Sequence, residues 1–174
     1  MRADSRKGSA AIEFAMVAPV LFVMLFGMIE CGVIYFGSAA LQNATDDAGR
    51  LVRTGQAARY TEAQLKNQIC TEMTGLMSLD TCNNNIQLDV REYSDFSGAT
   101  FPGVTNANGS INSTDLSYPE TFTSCQVVLI RAFYPWTIMT PLMQPLLENM
   151  PNGQYLMAAA TAFRSEPFTA GSSC

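Results

Sequence analysis

Three rhythms of apolar and polar residues divide the chain. From Phe14 to Ile29 there is no charged or strongly polar side chain, and a helix continued to Phe36 would be 23 residues long, about 34 Å at 1.5 Å per residue. That length crosses a hydrocarbon core of about 30 Å. From Ser38 the pattern stays helical but becomes one-sided. Leu41, Ala44, Ala48, Leu51 and Val52 share a face, whereas Gln42, Asn43, Asp46, Asp47, Arg50 and Arg53 lie largely off it. Gly55, after basic residues that suit a helix C-terminus, marks the expected end. One helix is therefore predicted to run from a membrane into the domain that follows. A second is predicted from Thr61, an N-cap with Glu62 beside it, through Leu65, Ile69 and Met73 to Leu76 or Met77.

After Cys82 the period shortens to two. "IQLDVREY" alternates apolar with polar residues from Ile86 to Val90, as a half-buried strand does, and "FTSCQVVLIRAFYPW", Phe122 to Trp136, is the strongest strand signal and should lie centrally in a sheet. Between them, residues 94–119 are rich in Gly, Asn, Ser and Thr and read as a long exposed loop or a loosely paired excursion. Pro135, Pro141, Pro145 and Pro151 punctuate a stretch with room only for short helical turns, about Leu142 to Glu148. Tyr155 to Phe168 supplies a last strand, whose alanines suggest close packing against a helix. The fold expected is α+β: a long N-terminal membrane-spanning helix over 9–37, running into an exported domain, 38–174, of helices packed on an antiparallel sheet.

Charge and composition narrow the chemistry. Ten basic residues against 15 acidic give a net charge of -5, and no basic block lies beyond the first seven residues, so nucleic acid is not an expected partner. The chain has no histidine, which excludes Ser/His and Cys/His nucleophile pairs and the commonest metal ligand. Neither a metal nor a cofactor is expected, and the chain does not read as an enzyme. Asp89, Glu92 and Asp95 lack the loop pattern of a calcium site and read as solvated strand-edge charges. Arg131 and Arg164, with Glu166 near the second, read as a structural ion pair, and Met139 to Met150 as methionine-rich core packing. Of five cysteines, Cys31 sits in the apolar run and Cys70, Cys82, Cys125 and Cys174 lie beyond it. Their spacing suits neither zinc nor a redox pair, which leaves disulfides and an oxidising compartment. Three pairings are open, of which Cys70 with Cys82 and Cys125 with Cys174 is preferred.

The apolar run also carries a carboxylate, Glu13, one turn inside its start. Arg2, Arg6 and Lys7 precede the run and Asp46 and Asp47 follow it, which keeps the basic end in the cytoplasm. A secretory signal would have a shorter apolar region, and a lipoprotein signal is ruled out by Glu30 before Cys31. A pilin-like leader accounts for the carboxylate: residues 1–8 form a basic leader ending in Gly8, cleavage frees the amine of Ser9, and Glu13 becomes the fifth mature residue. An ionisable group in a membrane helix costs a few kcal/mol and calls for a functional partner. The Ser9 amine of a neighbouring subunit is such a partner, and their attraction is strong in dry surroundings. Ala11, Ala15 and Ala18 form a small-residue stripe for close helix approach, and Pro19 should kink or loosen the helix. Gly27, Gly32 and Gly37 are expected on different faces, adding flexibility, with Glu30 near the outer membrane border.

"KGSAAIEFAMVAPVLFVMLFGMIE" resembles the N-terminus of TadE-like pilus-assembly proteins, minor pilins (pseudopilins) of the bacterial tight-adherence (Tad, Flp) pilus. "RLVRTGQA" at Arg50 to Ala57, the Cys70/Cys82 pair flanking "NNNIQLDVREY", "VVLIRAFYPW" and "FRSEPF" extend the resemblance over nearly the whole chain. It implies cleavage between Gly8 and Ser9 by a prepilin peptidase, with Glu13 as the pilin glutamate and Phe14 following it. The implied partners are that peptidase, a major Flp-type pilin, other minor pilins and an inner-membrane pilus platform. The implied location is the bacterial inner membrane, crossed once, with a periplasmic C-terminal domain that enters an initiation or tip complex. The alternative expectation is a tip adhesin that binds a surface through 94–119.

Overall fold

The structure, a computed structural model, describes residues 5–169 and 173–174. Helix α1 (Ser5–Arg53) is one helix of 49 residues that continues through Pro19, about 73 Å of rod. Its two halves have different surroundings. Up to Phe26 almost every side chain described is exposed, Ile12, Phe14 and Met16 among them; beyond that a stripe is buried, with Gly27, Glu30, Ile34, Gly37, Leu41, Ala44, Ala48 and Val52 recurring at helical spacing. Gly27 and Gly37 thus share the buried stripe while Gly32 is exposed, which corrects the expectation that all three merely loosen the helix. A Cβ on Gly37 would stand 2.8 Å from Met157 Cε, and one on Gly49 2.9 Å from Thr161 Cγ2. These glycines let the sheet approach the helix backbone. The helix ends where expected: Gly55 has φ +77°, a conformation that favours glycine.

Helix α2 (Glu62–Glu72) starts at a capping box in which Gln64 N donates to Thr61 Oγ1 at 3.3 Å and Thr61 N donates to Gln64 Oε1 at 2.9 Å. It stops at Glu72 rather than at Leu76 or Met77. A further short helix follows, α3 (Leu79–Asn85), with Ser78 as N-cap; its polar sequence "LDTCNNN" carries no apolar period to predict it. Strands β1 (Gln87–Tyr93), β2 (Val127–Thr137) and β3 (Gln154–Arg164) form an antiparallel sheet in the order β1-β2-β3, with β2 central. Arg131 stands opposite Asp89 on one side and Ala160 on the other. Helix α4 (Gln144–Leu147) follows a 3-10 turn at Pro141–Met143, inside the region expected to hold only short turns. The α+β architecture read from the sequence, a long apolar helix leading into helices on an antiparallel sheet, is the one observed.

Pro135 lies inside β2, opposite Leu156. It does not break the strand, because Ala160 N and O both bond Gln42 rather than Arg131. Odd-numbered residues of β2 therefore direct their amides toward β1, which begins only at Gln87, opposite Phe133. The missing N–H falls beyond the end of that ladder.

Both faces of β2 are buried. Val128, Ile130, Ala132 and Tyr134 join the core beneath α1 and α2, while Val127, Leu129, Arg131 and Phe133 are buried on the other side. Residues 94–119 fold back over that second face: Arg131 Nη1 donates to Pro102 O at 2.8 Å and Val90 N to Ser117 O at 2.7 Å. The segment expected as an exposed loop or a loosely paired excursion is in part a roof. It turns back through a bridge between Thr105 and Ile111 and a 3-10 turn at Ser113–Asp115. The alanines of β3 are also not where expected. Ala159 is buried toward the helix, but Ala158, Ala160 and Ala162 are exposed on the opposite face, so the close approach to α1 comes from the helix glycines instead.

Candidate functional site

The N-terminal half of α1 is the most unusual surface of the molecule. Gly8 and Ser9 lie within its helical backbone. Glu13 and Phe14 lie on its exposed surface, as do Ala11, Ala15 and Pro19, while Ala18 is buried. Phe22 and Phe26 stack at 6.2 Å between centroids. Over Ala10–Arg53 this is a helix long and apolar enough to cross a membrane, with its apolar window almost entirely uncovered. A contiguous apolar surface of this size requires lipid or other helices as its cover.

Glu30 ends that surface. It is 3% exposed, and its Oε2 accepts from Met139 N and Thr140 N at 3.2 Å and from Thr140 Oγ1 at 3.1 Å. The carboxylate ties the turn after β2 to the helix. Glu30 Oε1 is buried with no hydrogen-bond partner among the described residues; Glu30 lines, with Phe26, Ile29, Val33, Met139, Thr140 and Pro141, a cleft of about 390 Å³. Nothing in the local pattern around Glu30 signalled this pairing, because its partners lie 109 and 110 residues away.

A second buried carboxylate sits under the roof. Asp89, read as a solvated strand charge, is fully buried. Its Oδ2 accepts from Arg131 Nε at 2.9 Å and Nη2 at 2.5 Å, its Oδ1 from Arg91 Nε at 3.0 Å and Ser117 N at 2.9 Å. Arg131 also stacks over Phe133, 5.6 Å from its centroid. The ion pair expected of Arg131 is therefore made with Asp89, while Glu166 pairs with Arg53 at 3.3 Å. The three carboxylates once grouped are not brought together. Glu92 accepts from Thr123 N at 2.7 Å, and Asp95 accepts from Ser97 Oγ at 2.6 Å and Gly98 N at 2.8 Å. Those two donors, the Ser97 hydroxyl foremost, hold the Asp95 carboxyl below its ordinary pKa. Each acid is engaged by its own neighbours, an arrangement that organises structure rather than chemistry.

Cys70 is bonded to Cys82 and Cys125 to Cys174. The first links α2 to α3; the second ties the C-terminus to the turn before β2. Cys31 is a free, exposed thiol on α1. Where 165–168 meets α1, Glu166 N caps the helix by donating to Arg53 O at 2.9 Å. Tyr118 OH donates to Tyr60 O at 2.8 Å; burial, then the nearby Glu62 carboxylate, pushes its pKa up to about 12. Gln42 went unnoticed in the sequence as a site residue: its amide donates to Ala160 O at 3.1 Å and accepts from Ala160 N at 3.3 Å, closing part of the open edge of β3.

Together these features define an apolar helical rod, long enough to cross a membrane, that continues without a break into a disulfide-bonded α+β domain. Residues 8–50, about a quarter of the chain, match the family model of TadE-like protein. The resemblance drawn over nearly the whole sequence is thus matched along α1. No curated protein and no solved structure matches the chain. The two disulfides are consistent with an exported domain.

Proposed function

We propose that this chain is a minor pilin of a Tad-type pilus. It crosses the inner membrane once with its basic end in the cytoplasm, is cut between Gly8 and Ser9 by a prepilin peptidase, and joins major pilin or sister minor pilins in an initiation or tip complex. The observation that carries this reading is the coincidence, within the family-matched segment 8–50, of an uncovered apolar helix and a carboxylate five positions beyond Gly8. Lipid covers the rod before assembly and neighbouring rods cover it afterwards. The pairing of Glu13 with the freed amine of a neighbour favours the second state, because an ion in hydrocarbon gains more from a partner than from lipid.

The test is the intact mass and N-terminal sequence of the protein expressed in its host with and without the peptidase. A chain beginning at Ser9 only when the peptidase is present is expected; an uncut chain in both backgrounds removes the Ser9 amine and the pairing with it. Glu13→Ala is expected to insert normally but to impair assembly, and wild-type amounts of functional pili carrying it would refute the role of the glutamate.

The adhesin reading keeps one supporting observation, the exposed Phe96 and Phe101 on the roof segment. Because 94–119 also covers Asp89 and Arg131, its test is Phe96→Ser with Phe101→Ser, not a deletion. Lost adhesion per pilus with normal pilus number would favour the adhesin.

A further inference from the structure

Residues 132–147 contain no charged side chain, and within them the short turns after β2 are strongly exposed yet apolar. Met139 and Leu142 are each 69% exposed and Leu146 77%. The expectation that this methionine-rich stretch packs in the core is therefore wrong for its most apolar tips. Its position along α1 identifies what covers it. Ala10 to Ile29 spans 20 residues, about 30 Å of helix, which matches the hydrocarbon thickness of a bilayer. Met143 packs against Gly27, where a Cβ would stand 3.0 Å from its Sδ, and Glu30 holds the backbone of Met139 and Thr140. Gly27 lies inside that span, so the turn reaches the level of its outer end. Sliding the span toward Phe36 would place the turn deeper still.

From this geometry we infer that Met139–Leu147 is a membrane-surface wedge: it inserts Met139, Leu142 and Leu146 into the headgroup and upper acyl layer of the bilayer that α1 crosses. The partner is a lipid surface, and the inference rests on α1 being membrane-spanning. Between the apolar surface of the helix and the wedge lies Glu30, whose carboxylate is buried beneath the turn and does not break the exposed apolar surface. Short amphipathic elements of this kind settle about 5–10 Å into the headgroup and acyl boundary. Pro141 and Pro145 pre-set a compact turn, and the Glu30 carboxylate receives the amides that would otherwise lack partners at this depth. The wedge gives the exported domain a fixed height and tilt against the membrane before it is extracted into a fibre.

The test places single tryptophans in the full-length chain in lipid vesicles. Trp136→Phe supplies the background, since Trp136 is the sole tryptophan, and Leu142→Trp, Leu146→Trp, Val20→Trp and Ser97→Trp are read with lipids brominated at shallow or deep acyl positions. Ser97 follows the end of β1 that pairs with Val127, at the far end of β2 from the wedge, roughly 30 Å away. Shallow bromines are expected to quench positions 142 and 146 several-fold more than 97, and deep bromines to quench 20. If 142 and 146 behave like 97 while 20 is quenched, the wedge is overturned and the span stands. If 20 is unquenched, both fall. If 142 and 146 are shielded from bromine and from aqueous acrylamide alike, and the shielding disappears on dilution in lipid, a second copy covers this face and the lipid proposal is overturned.

Discussion

Asp89→Ala is the perturbation that most directly probes the domain. In the native structure the fully buried carboxylate receives two hydrogen bonds from Arg131, one or two from Arg91 and one from Ser117 N. Without it, Arg91 keeps Asp115 O at 2.6 Å and remains partly in water, its side chain 27% exposed, so its loss is modest. Arg131 is 6% exposed and keeps, among the described residues, one hydrogen bond, to Pro102 O, and the face of Phe133, neither of which carries a negative charge. A buried cation stripped of its counter-ion costs about 3–5 kcal/mol, and Ser117 N adds the penalty of an unmet buried donor. Asp89→Leu combined with Arg131→Met removes both charges at similar volume and is expected to recover most of that loss. The assay is urea unfolding of the detergent-solubilised, oxidised chain followed by Trp136 fluorescence, with stability compared at unchanged slope. A cost below about 1 kcal/mol for Asp89→Ala would return the residue to a solvated strand charge, the value of an exposed pair, and refute the roof as the source of its burial.

Three further outcomes follow from the packing. Gly49→Ala should destabilise by about 1–3 kcal/mol, because the stiff Thr161 and the Phe163 ring stand 2.9 and 3.0 Å from the new Cβ, whereas Gly32→Ala, with nothing within 4 Å, should be neutral or slightly stabilising; parallel urea melts decide. Tyr118 titrates near 12 when folded against 10.0 when unfolded, so its neutral form is favoured by folding. That contribution is complete below pH 10 and is lost as pH rises from 10 to 12; Tyr118→Phe should lose about 0.5–1.5 kcal/mol near neutrality and show a shallower alkaline decline. Cys125→Ser with Cys174→Ser opens a bridge spanning 49 residues and should cost about 4 kcal/mol, against about 3 for the Cys70–Cys82 pair, measured on the same melts.

What the sequence displayed and what it hid divide along range of interaction. The long apolar run, the Thr61 cap, the turn at Gly55 and the central strand are set within a few residues of themselves, and all could be read locally. Asp89 could not. Its alternating neighbours describe a strand with one wet face, and only the return of 94–119, rich in loop-forming residues, dries that face. The pairing of Glu30 was hidden for the same reason at greater distance, since its donors belong to the turn that follows β2. The alanines of β3 misled in the opposite sense: small side chains signal close approach, but the approach is made by glycines on the other partner. Pro135 falls inside the strand expected over Phe122 to Trp136, but why it is tolerated there could not be read, because the sequence does not say that β1 begins only opposite Phe133.

The long helix also links the two halves of the reading. From Leu41 to Val52 α1 is held to the sheet by buried small residues, by Gln42 on the edge of β3 and by Glu166 on its last turn. That half therefore cannot rotate about its own axis without opening the core. Since the rod is continuous through Pro19, the face that carries Glu13 is fixed relative to the domain, within the twist a helix of this length permits. Any neighbour that captures Glu13 in an assembled state would then also determine where the wedge and the exposed alanine face of β3 come to lie. Gly49→Ala, which disturbs the helix-to-sheet contact 36 residues from Glu13, should accordingly reduce assembly even where the cut at Gly8 proceeds normally. Normal assembly of a variant whose domain has measurably loosened from α1 would show that the rod alone carries the assembly geometry.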